Sequence, residues 1–286
     1  MARRLALSRR VIVELPGLGR TDPSLGVASG SPAGSIALSW AGPPPEGAEE
    51  IVRAVATAHR RSGGVIDLER PDRRIVLAGA GEDLWVGEVV SEVDRRSYQN
   101  RRMPSLPFQR PVSLHPRLAR AAVNLARISP GARVVDPFLG TGALLLEAGL
   151  LGARLYGVDI DARMVQGAER NLAAFNLHAE AIRVGDAQEL AVEADWPTFD
   201  AIVTDPPYGR ASSTRGESPP ELLARIVPRW TRLLRPGGHL VLIGPSFETP
   251  ADASLELVAS LQERVHRSLT RYFQAYRKVG DARSAA

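Results

Sequence analysis

Apolar positions between residues 131 and 245 follow two different spacings. Short runs rich in β-branched residues predict strands, and longer stretches with an apolar residue at every third or fourth position predict amphipathic helices. The predicted elements are, in order, strand ARVVDP, helix GALLLEAGLLGA, strand RLYGVDI, helix ARMVQGAERNLAAF, a strand within AEAIRVGDA, strand FDAIVTDPP, helix PPELLARIVPRWTRLL and strand GGHLVLIGP. This alternation predicts an α/β fold in which a parallel sheet carries helices on both faces.

The N-terminal part of the chain has a different pattern. Apolar residues at helical spacing over residues 46–62, followed by Gly63–Gly64, predict a single helix. Short apolar runs at Ile36–Trp40, VIDL, RRIVLAG and LWVGEVV predict strands, and the apolar residues of Val11–Leu15 also alternate. One helix among several strands predicts a small α+β domain over residues 1–95.

A linker and a second domain are predicted after this first domain. Residues 96–111 are polar and basic and contain three prolines, which is typical of a linker. The second domain is predicted over residues 112–286 and begins with the amphipathic stretch SLHPRLARAAVNLARI. Residues 267–278 alternate and carry basic side chains, which predicts a final strand at an edge of the sheet.

Composition excludes several classes of site. The chain has no cysteine, so disulfides, thiolate metal sites and a cysteine nucleophile are excluded. Its five histidines show no zinc-ligand spacing, and we predict no metal site. No apolar run reaches the roughly 18 residues of a membrane-spanning helix. Arg9, Arg10 and Glu14 interrupt the N-terminal apolar stretch, so we expect no signal peptide and a cytoplasmic protein.

The positive charge of the chain is concentrated near its N-terminus. Residues 1–120 carry 18 arginines and 13 acidic residues, and residues 121–286 carry 18 basic and 19 acidic residues, so the net charge of +4 arises in the first part. Arginine-rich surfaces suit phosphate groups. A general preference for arginine is the alternative explanation, because Lys278 is the only lysine.

A glycine-rich turn follows the first strand of the predicted parallel sheet. The sequence DPFLGTG at 136–142 ends a strand and opens a helix, which is where open α/β sheets bind nucleotide-type ligands. Gly140 and Gly142 would let the backbone approach such a ligand, and the helix N-terminus would offer free N–H groups. The turn is not GxGxxG, which argues against NAD, and a plain tight turn is the alternative.

Two acidic residues end the next two predicted strands. Asp159 follows Asp136 by 23 residues and lies where a carboxylate can accept hydrogen bonds from both ribose hydroxyls. Asp186 ends the third strand, where it can meet an adenine amino group. Helix caps or turns are the alternatives for both, and Asp161 is predicted to cap the helix that starts at Ala162.

The motif DPPYG at 205–209 follows the apolar strand AIVT. Asp205 can accept a hydrogen bond from an exocyclic amino group, and the Pro206 carbonyl can accept another because Pro207 has no N–H. Tyr208 can stack on a base. These groups would aim the amino lone pair at a methyl sulfonium, so rate would come mainly from alignment. A structural Pro-Pro turn is the alternative.

Taken in order, DPFLGTG, GVDID, GDA, DPPYG and RPGG resemble the class I S-adenosylmethionine (SAM)-dependent methyltransferases that carry an (N/D)PPY motif. Four stretches resemble the THUMP-containing tRNA guanosine-10 N2-methyltransferases more closely: VIDLERPDRRIVL, VGEVVSEVDRRSYQNRRM, PFQRPVSLHPRLARAAVNLAR and DPPYGRASS. The resemblance covers residues 64–278 and implies a Rossmann-like methyltransferase domain. The stretch before residue 64 is short for a complete THUMP module, so we expect a reduced THUMP-like domain.

The resemblance implies a role for each motif, with SAM as methyl donor and tRNA as partner, and it leaves a helper subunit unspecified. The turn would wrap the methionine part of the donor, Asp159 would hold the ribose and Asp186 the adenine, while Leu139 replaces the cysteine usual in the family and contributes packing. The implied donor-binding residues are Ser113, Leu114, Asp136, Gly140, Thr141, Gly142, Asp159, Ile160, Asp186 and Ala187, and the implied catalytic residues are Asp205, Pro206, Pro207 and Tyr208.

Three functions are compatible with these motifs. The first is methylation of guanosine N2 in tRNA, with position 10 as the expected target. The second is methylation of adenine N6 in DNA or RNA, since DPPY also serves adenine. The third is a noncatalytic RNA-binding protein that keeps a methyltransferase fold.

Overall fold

The computed structural model describes residues 10–14, 34–42, 44–80, 83–94, 96–111, 113–190, 195–207, 219–245, 252–267 and 269–280. The chain divides into two compact units, and the boundary between them lies at Asp94 and Arg95. Among the helices that are described, none is both long enough and apolar enough to cross a membrane. That the units are domains with the predicted bounds stays a prediction.

The first unit is an α+β structure built on a five-stranded sheet in the order β1-β5-β4-β2-β3. Its helix α1 packs Val55 against Ile36, Ile75 and Leu77 of the sheet. The predicted α+β composition agrees with this unit, and its likeness to a THUMP module stays a prediction. Its elements are β1 (Arg10–Glu14), β2 (Ser35–Trp40), α1 (Ala48–Arg61), β3 (Val65–Ile66), β4 (Arg73–Ala80) and β5 (Asp83–Glu92).

The second unit is a seven-stranded sheet in the order β11-β12-β10-β9-β6-β7-β8. Strands β10, β9, β6, β7 and β8 are parallel, whereas β12 runs antiparallel to both of its neighbours. The elements are α2 (Pro116–Leu125), β6 (Arg133–Asp136), α3 (Ala143–Gly149), β7 (Arg154–Asp159), α4 (Ala162–Ala173), β8 (Ala181–Val184), β9 (Phe199–Thr204), α5 (Pro219–Leu233), β10 (Leu234–Gly244), β11 (Leu255–His266) and β12 (Leu269–Lys278).

Alternating residues of the central strands fill two separate cores, one on each face of this sheet. Val134 of β6 packs in the core formed with α2, α3 and α4, whereas the next residue, Val135, packs in the core formed with α5. Trp230 of α5 is fully buried in the second core. This confirms the predicted parallel sheet with helices on both faces.

The C-terminal part of the sheet differs from the prediction in two ways. Residues 267–278 were expected to form an edge strand, but β12 lies between β10 and β11, and its Phe273 and Tyr276 are buried. The edge is formed by β11, which no apolar pattern predicted. Irregular pairing between Leu257 and Ala259, and again between Arg264 and His266, interrupts the alternation that would have revealed this strand.

The segment predicted as a linker, residues 96–111, is part of the second unit and is called the strap below. It contains two short 3-10 helices, Arg96–Arg101 and Met103–Ser105, and it places Leu106 in the core. Arg101 Nε lies 2.6 Å from Glu147 Oε1, and Arg120 Nε lies 2.8 Å from Glu147 Oε2. The buried carboxylate of Glu147 on α3 thus binds both the strap, through Arg101, and α2, through Arg120.

We expect Glu147→Gln to lower the free energy of unfolding of the second unit by about 3 kcal/mol, because two buried guanidinium groups would lose their countercharge. The variant Glu180→Gln is the matched control, since its ion pair with Arg154 is about half exposed, and should cost less than about 1 kcal/mol. Hydrogen exchange of α3 amides in low urea measures both changes within this unit. Equal losses in the two variants would contradict the assignment.

Candidate functional site

A cavity of about 590 Å³ opens at the carboxyl ends of the parallel strands of the second unit. Its volume lies within the roughly 300–1,000 Å³ of small-molecule sites. Residues at or directly after the ends of β6, β7, β8 and β9 line it, as do residues from the strap and from the start of α3. This is the edge at which open α/β sheets bind ligands.

The cavity brings together most of the residues singled out in the sequence. Two of them, Gly142 and Pro206, are not among the lining residues, and Tyr208 lies outside the described residues. The predicted residues that do line the cavity are Ser113, Leu114, Asp136, Gly140, Thr141, Asp159, Ile160, Asp186, Ala187, Asp205 and Pro207.

Asp136 is the most deeply buried acid of the cavity, with 1% of its surface exposed. Its Oδ1 accepts a hydrogen bond from the Thr204 hydroxyl at 2.7 Å and one from the Phe138 N–H at 3.1 Å. Burial raises the pKa of Asp136, the hydrogen bonds from Thr204 and Phe138 lower it, and the neighbouring Asp205 and Asp159 raise it, so that the pKa lies at about 7. Asp136 is therefore poised to change charge near neutral pH.

Asp159 organises the glycine-rich turn as well as lining the cavity. Its Oδ2 accepts the Gly140 N–H at 2.8 Å, and its Oδ1 accepts the Asp161 N–H at 2.9 Å. Burial raises the pKa of Asp159, while these two backbone hydrogen bonds lower it. Each carboxylate oxygen keeps one further lone pair for a ligand. Asp161 caps α4 as predicted, because its Oδ1 accepts the Arg163 N–H at 2.9 Å.

Gly140 and Gly142 have different roles in the turn. At Gly140, which has φ 52°, an added Cβ would meet only the Phe138 carbonyl oxygen at 3.9 Å, so this glycine keeps the cavity wall open. At Gly142, φ is 78° and an added Cβ would lie 3.0 Å from the Cβ of Ala168. Gly142 is thus required by the backbone at the start of α3 and by the close approach of α4, not by contact with the cavity.

The wall that follows β8 is held by α5. Asp186 Oδ1 accepts the Gln188 N–H at 2.9 Å, which closes a tight turn beside the cavity. The Ala187 carbonyl accepts the indole N–H of Trp230 at 2.8 Å. The turn predicted as an alternative for Asp186 is therefore present, and Asp186 also lines the cavity.

Asp205 and Pro207 line the cavity directly after β9, and Pro206 between them is buried. The residue before them, Thr204, is fully buried and donates to Asp136. Because β9 is paired in parallel with β6, Asp205 is brought to the same cavity as the glycine-rich turn.

Charge in the cavity is strongly one-sided. Five aspartates line it, and Arg110 of the strap is the basic member of the lining within the described chain. In that same part of the chain, no three histidine, aspartate or glutamate side chains are grouped so that they could hold a metal ion. An acidic wall of this kind suits a cationic ligand that also carries hydroxyl and amino donors.

Sequence reasoning missed several residues that shape this cavity. Arg110, Phe138, Met164, Gln188 and Leu222 line it, although none belongs to the residues predicted from the motifs. Phe138 lies within DPFLGTG, and its ring meets that of Trp230 edge-on at 5.9 Å. The motif positions of Phe138 and Gln188 could have indicated them, whereas Leu222 comes from a helix whose pattern only predicts burial.

Sequence comparison identifies curated relatives that cover part of this chain. A tRNA (guanine(10)-N2)-dimethyltransferase of Pyrococcus abyssi is 37% identical over 212 residues, which are 73% of this chain and 63% of the relative. A tRNA (guanine(6)-N2)-methyltransferase of Thermus thermophilus is 33% identical over 198 residues, 68% of this chain and 56% of the relative. The chain therefore spans less than two thirds of the length of these relatives.

Structural comparison extends the similarity over nearly the whole chain. The crystal structure of TrmN from Thermus thermophilus matches with a TM-score of 0.52 and 25% sequence identity, over 97% of this chain and 86% of that one. The family described as RMKL-like, methyltransferase domain matches residues 105–272, a range that includes the parallel strands and most of the cavity lining. The resemblance inferred from the motifs is confirmed, and this chain belongs to the RMKL-like methyltransferase domain family.

Proposed function

We propose that this protein transfers a methyl group from SAM to the exocyclic N2 of a guanosine in tRNA, with position 10 as the target. One observation carries the proposal: Asp205 and Pro207, which end β9, line the same cavity as Asp136, Gly140 and Asp159. The guanine N2 specificity in the names of the relatives supports it. That specificity favours guanine over the adenine alternative, and the filled motifs favour an enzyme over a noncatalytic protein.

The cavity fits SAM in three respects. Its volume suits a nucleoside-sized ligand. The open space beside Gly140 gives a backbone cradle that any side chain would fill. The surrounding carboxylates suit a ligand with a sulfonium and an ammonium group. When bound, SAM supplies a methyl group that is already activated on a positively charged sulfur.

Different residues of the chain would bind the methionine, ribose and adenine parts of the donor. Asp136 and the turn at Gly140 and Thr141 would hold the methionine part, together with Ser113, which lies beside Thr141, and Leu114. Asp159 would accept hydrogen bonds from the ribose hydroxyls through the lone pairs that Gly140 and Asp161 leave available. The adenine would lie between Ile160, Asp186 and Ala187.

Asp205 and the Pro206 carbonyl would hold the target amino group. When a carboxylate and a carbonyl accept hydrogen bonds from the two N–H groups, the nitrogen lone pair is turned towards the donor. Methylation forms an N–C bond and breaks the S–C bond, and the nitrogen then loses one proton, for which the Asp205 carboxylate is the acceptor at hand. Pro207 stiffens the turn, and the stacking role of Tyr208 stays a prediction from the sequence.

The partner tRNA would be recognised partly outside the cavity. The positive net charge of residues 1–120 supports contacts with phosphate groups. The acidic cavity would disfavour phosphates, so we expect only the target base to enter it. A role in tRNA modification agrees with the cytoplasmic location expected from the sequence.

The target nucleotide can be tested with tRNA transcripts. We expect mass spectrometry of nucleosides to show N2-methylated guanosine after incubation of tRNA with the protein and SAM, and no product when guanosine 10 is replaced by adenosine. The count of methyl groups per guanosine follows from the same spectrum. Product that survives this replacement but disappears when guanosine 6 is changed would move the target to position 6. Methylated adenine would contradict guanine specificity altogether.

Two variants should distinguish the residues that bind the donor from those that bind the target base. Asp205→Ala should abolish turnover while donor binding stays close to wild type, because Asp205 would face the base. Asp159→Ala should weaken donor binding by roughly tenfold or more, since a charged hydrogen-bonding partner is lost. Calorimetric titration with SAM measures the binding, and radiolabel transfer to tRNA measures turnover. Loss of donor binding in Asp205→Ala would be inconsistent with these roles.

The raised pKa of Asp136 predicts a pH-dependent stability. The protonated carboxyl favours the folded state, and this contribution is complete below the ordinary range of aspartate and disappears as pH rises through about 7. Asp136→Asn keeps an oxygen for Thr204 and Phe138 but cannot ionise. Relative to wild type, the variant should gain about 1 kcal/mol of stability between about pH 6 and about pH 8.

Hydrogen exchange of β6 and β9 amides at the two pH values measures this gain. Asp195→Asn is the control, because Arg183 holds the pKa of the exposed Asp195 below its usual range, so that residue stays ionised throughout. A gain of the same size in Asp195→Asn would assign the pH dependence to another group. Asp136→Asn should also bind SAM more weakly than wild type, and the difference should be larger at about pH 8, where the wild-type carboxyl is ionised, than at about pH 6.

A further inference from the structure

A fully buried amide connects the strap to the glycine-rich turn. Asn171 of α4 has none of its surface exposed. Its Oδ1 accepts the Phe108 N–H at 2.9 Å, and its Nδ2 donates to the carbonyl of Phe108 at 3.0 Å and to that of Thr141 at 3.0 Å. One side chain therefore holds both backbone groups of a strap residue and one backbone group of the turn.

The segments that this amide joins both contribute to the cavity wall. Arg110 and Pro111 follow Phe108 in the strap and line the cavity, and Thr141 lines it from the turn. The hydroxyl of Ser113, which lies just beyond the strap, is 2.9 Å from that of Thr141 and connects the chain after the strap to the same turn. Asn171 itself is not among the lining residues, so it can act on a ligand only through the segments that it holds.

The strap also packs on α4 at a position where only glycine fits. A Cβ added to Gly167 would lie 2.1 Å from Cδ1 of the Phe108 ring. Gly167 precedes Asn171 by four residues, so the two lie one turn apart on the same face of α4. The ring and the backbone of Phe108 are thus both fixed by this one helix face.

We propose that Asn171 is a positioning residue for the methyl donor: it holds the strap against the turn and thereby sets the shape of the donor-binding wall. The inference rests on the proposed function, because it requires that SAM occupies this cavity. Removing the amide would leave two carbonyls and one N–H of the backbone without their partner, and the strap would move away from the turn. The acceptor side, formed by Asp205 and Pro207, would remain.

The test compares full-length wild type with Asn171→Ala and Gly167→Ala. The first variant removes the hydrogen bonds, and the second displaces the Phe108 ring while leaving Asn171 in place. Both should weaken SAM binding by roughly tenfold or more in calorimetric titrations at a temperature where circular dichroism shows them folded. Glu169→Ala, on the exposed side of the same helix, is the control and should bind SAM like wild type.

Two further measurements separate positioning from a purely structural role. The KM for SAM should rise in both variants while kcat at saturating SAM stays near wild type, because the acceptor side is intact. In wild type, SAM should slow hydrogen exchange of the backbone amides of the four non-proline residues within 106–111, and Asn171→Ala should lose this protection. If Asn171→Ala does not fold, the exchange data for wild type and the SAM affinity of Gly167→Ala still test the inference.

A folded Asn171→Ala with wild-type affinity for SAM would overturn the inference. So would the finding that SAM does not change hydrogen exchange of the strap in the wild-type protein. Either result leaves the proposed function standing, provided that wild type binds SAM. A wild-type chain that binds no SAM would instead contradict the proposed function, and the inference with it.

Discussion

The hydrogen bond between the Thr204 hydroxyl and the Asp136 carboxyl joins the ends of two neighbouring parallel strands. Asp136 ends β6 and leads into the glycine-rich turn, whereas Thr204 ends β9 and leads into the Asp-Pro-Pro sequence. The proposed donor and acceptor halves of the site begin on either side of this bond. A displacement of one strand end relative to the other would separate the two reacting groups, and such transfers are sensitive to small errors of position.

Much of the fold was predictable because apolar spacing, strand ends and turn residues agree in the second unit. The five parallel strands and the acids at their ends follow from short β-branched runs that stop at Asp136, Asp159 and Asp186. The strand β11 was not predictable, because its irregular pairing removes the alternation on which strand prediction depends. The position of β12 inside the sheet, one strand from its edge, was also missed, since a basic sequence indicates exposure and not which strands are its neighbours.

The site was predictable where its residues belong to one continuous motif and unpredictable where distant segments meet. Asp205 and Gly140 are found from DPPYG and DPFLGTG, and both line the cavity. Gly142 was assigned to ligand approach, but its close neighbour is Ala168, on a helix that the motif does not contain. Asn171 carried no signal at all, because an asparagine in an amphipathic helix predicts an exposed polar position, and only the tertiary structure shows that Phe108 and Thr141 surround it.

The position of β12 has a consequence for how the second unit is made. Strand β10 pairs with β9 on one side, but its other side is covered only by β12, whose residues Phe273 and Tyr276 complete the cores on the two faces. During synthesis, residues 133–244 therefore leave the ribosome with an open sheet edge and two unfinished cores. The sheet can close only once residues 269–278 have emerged, so this half of the protein depends on late, long-range pairing and is exposed to aggregation until then.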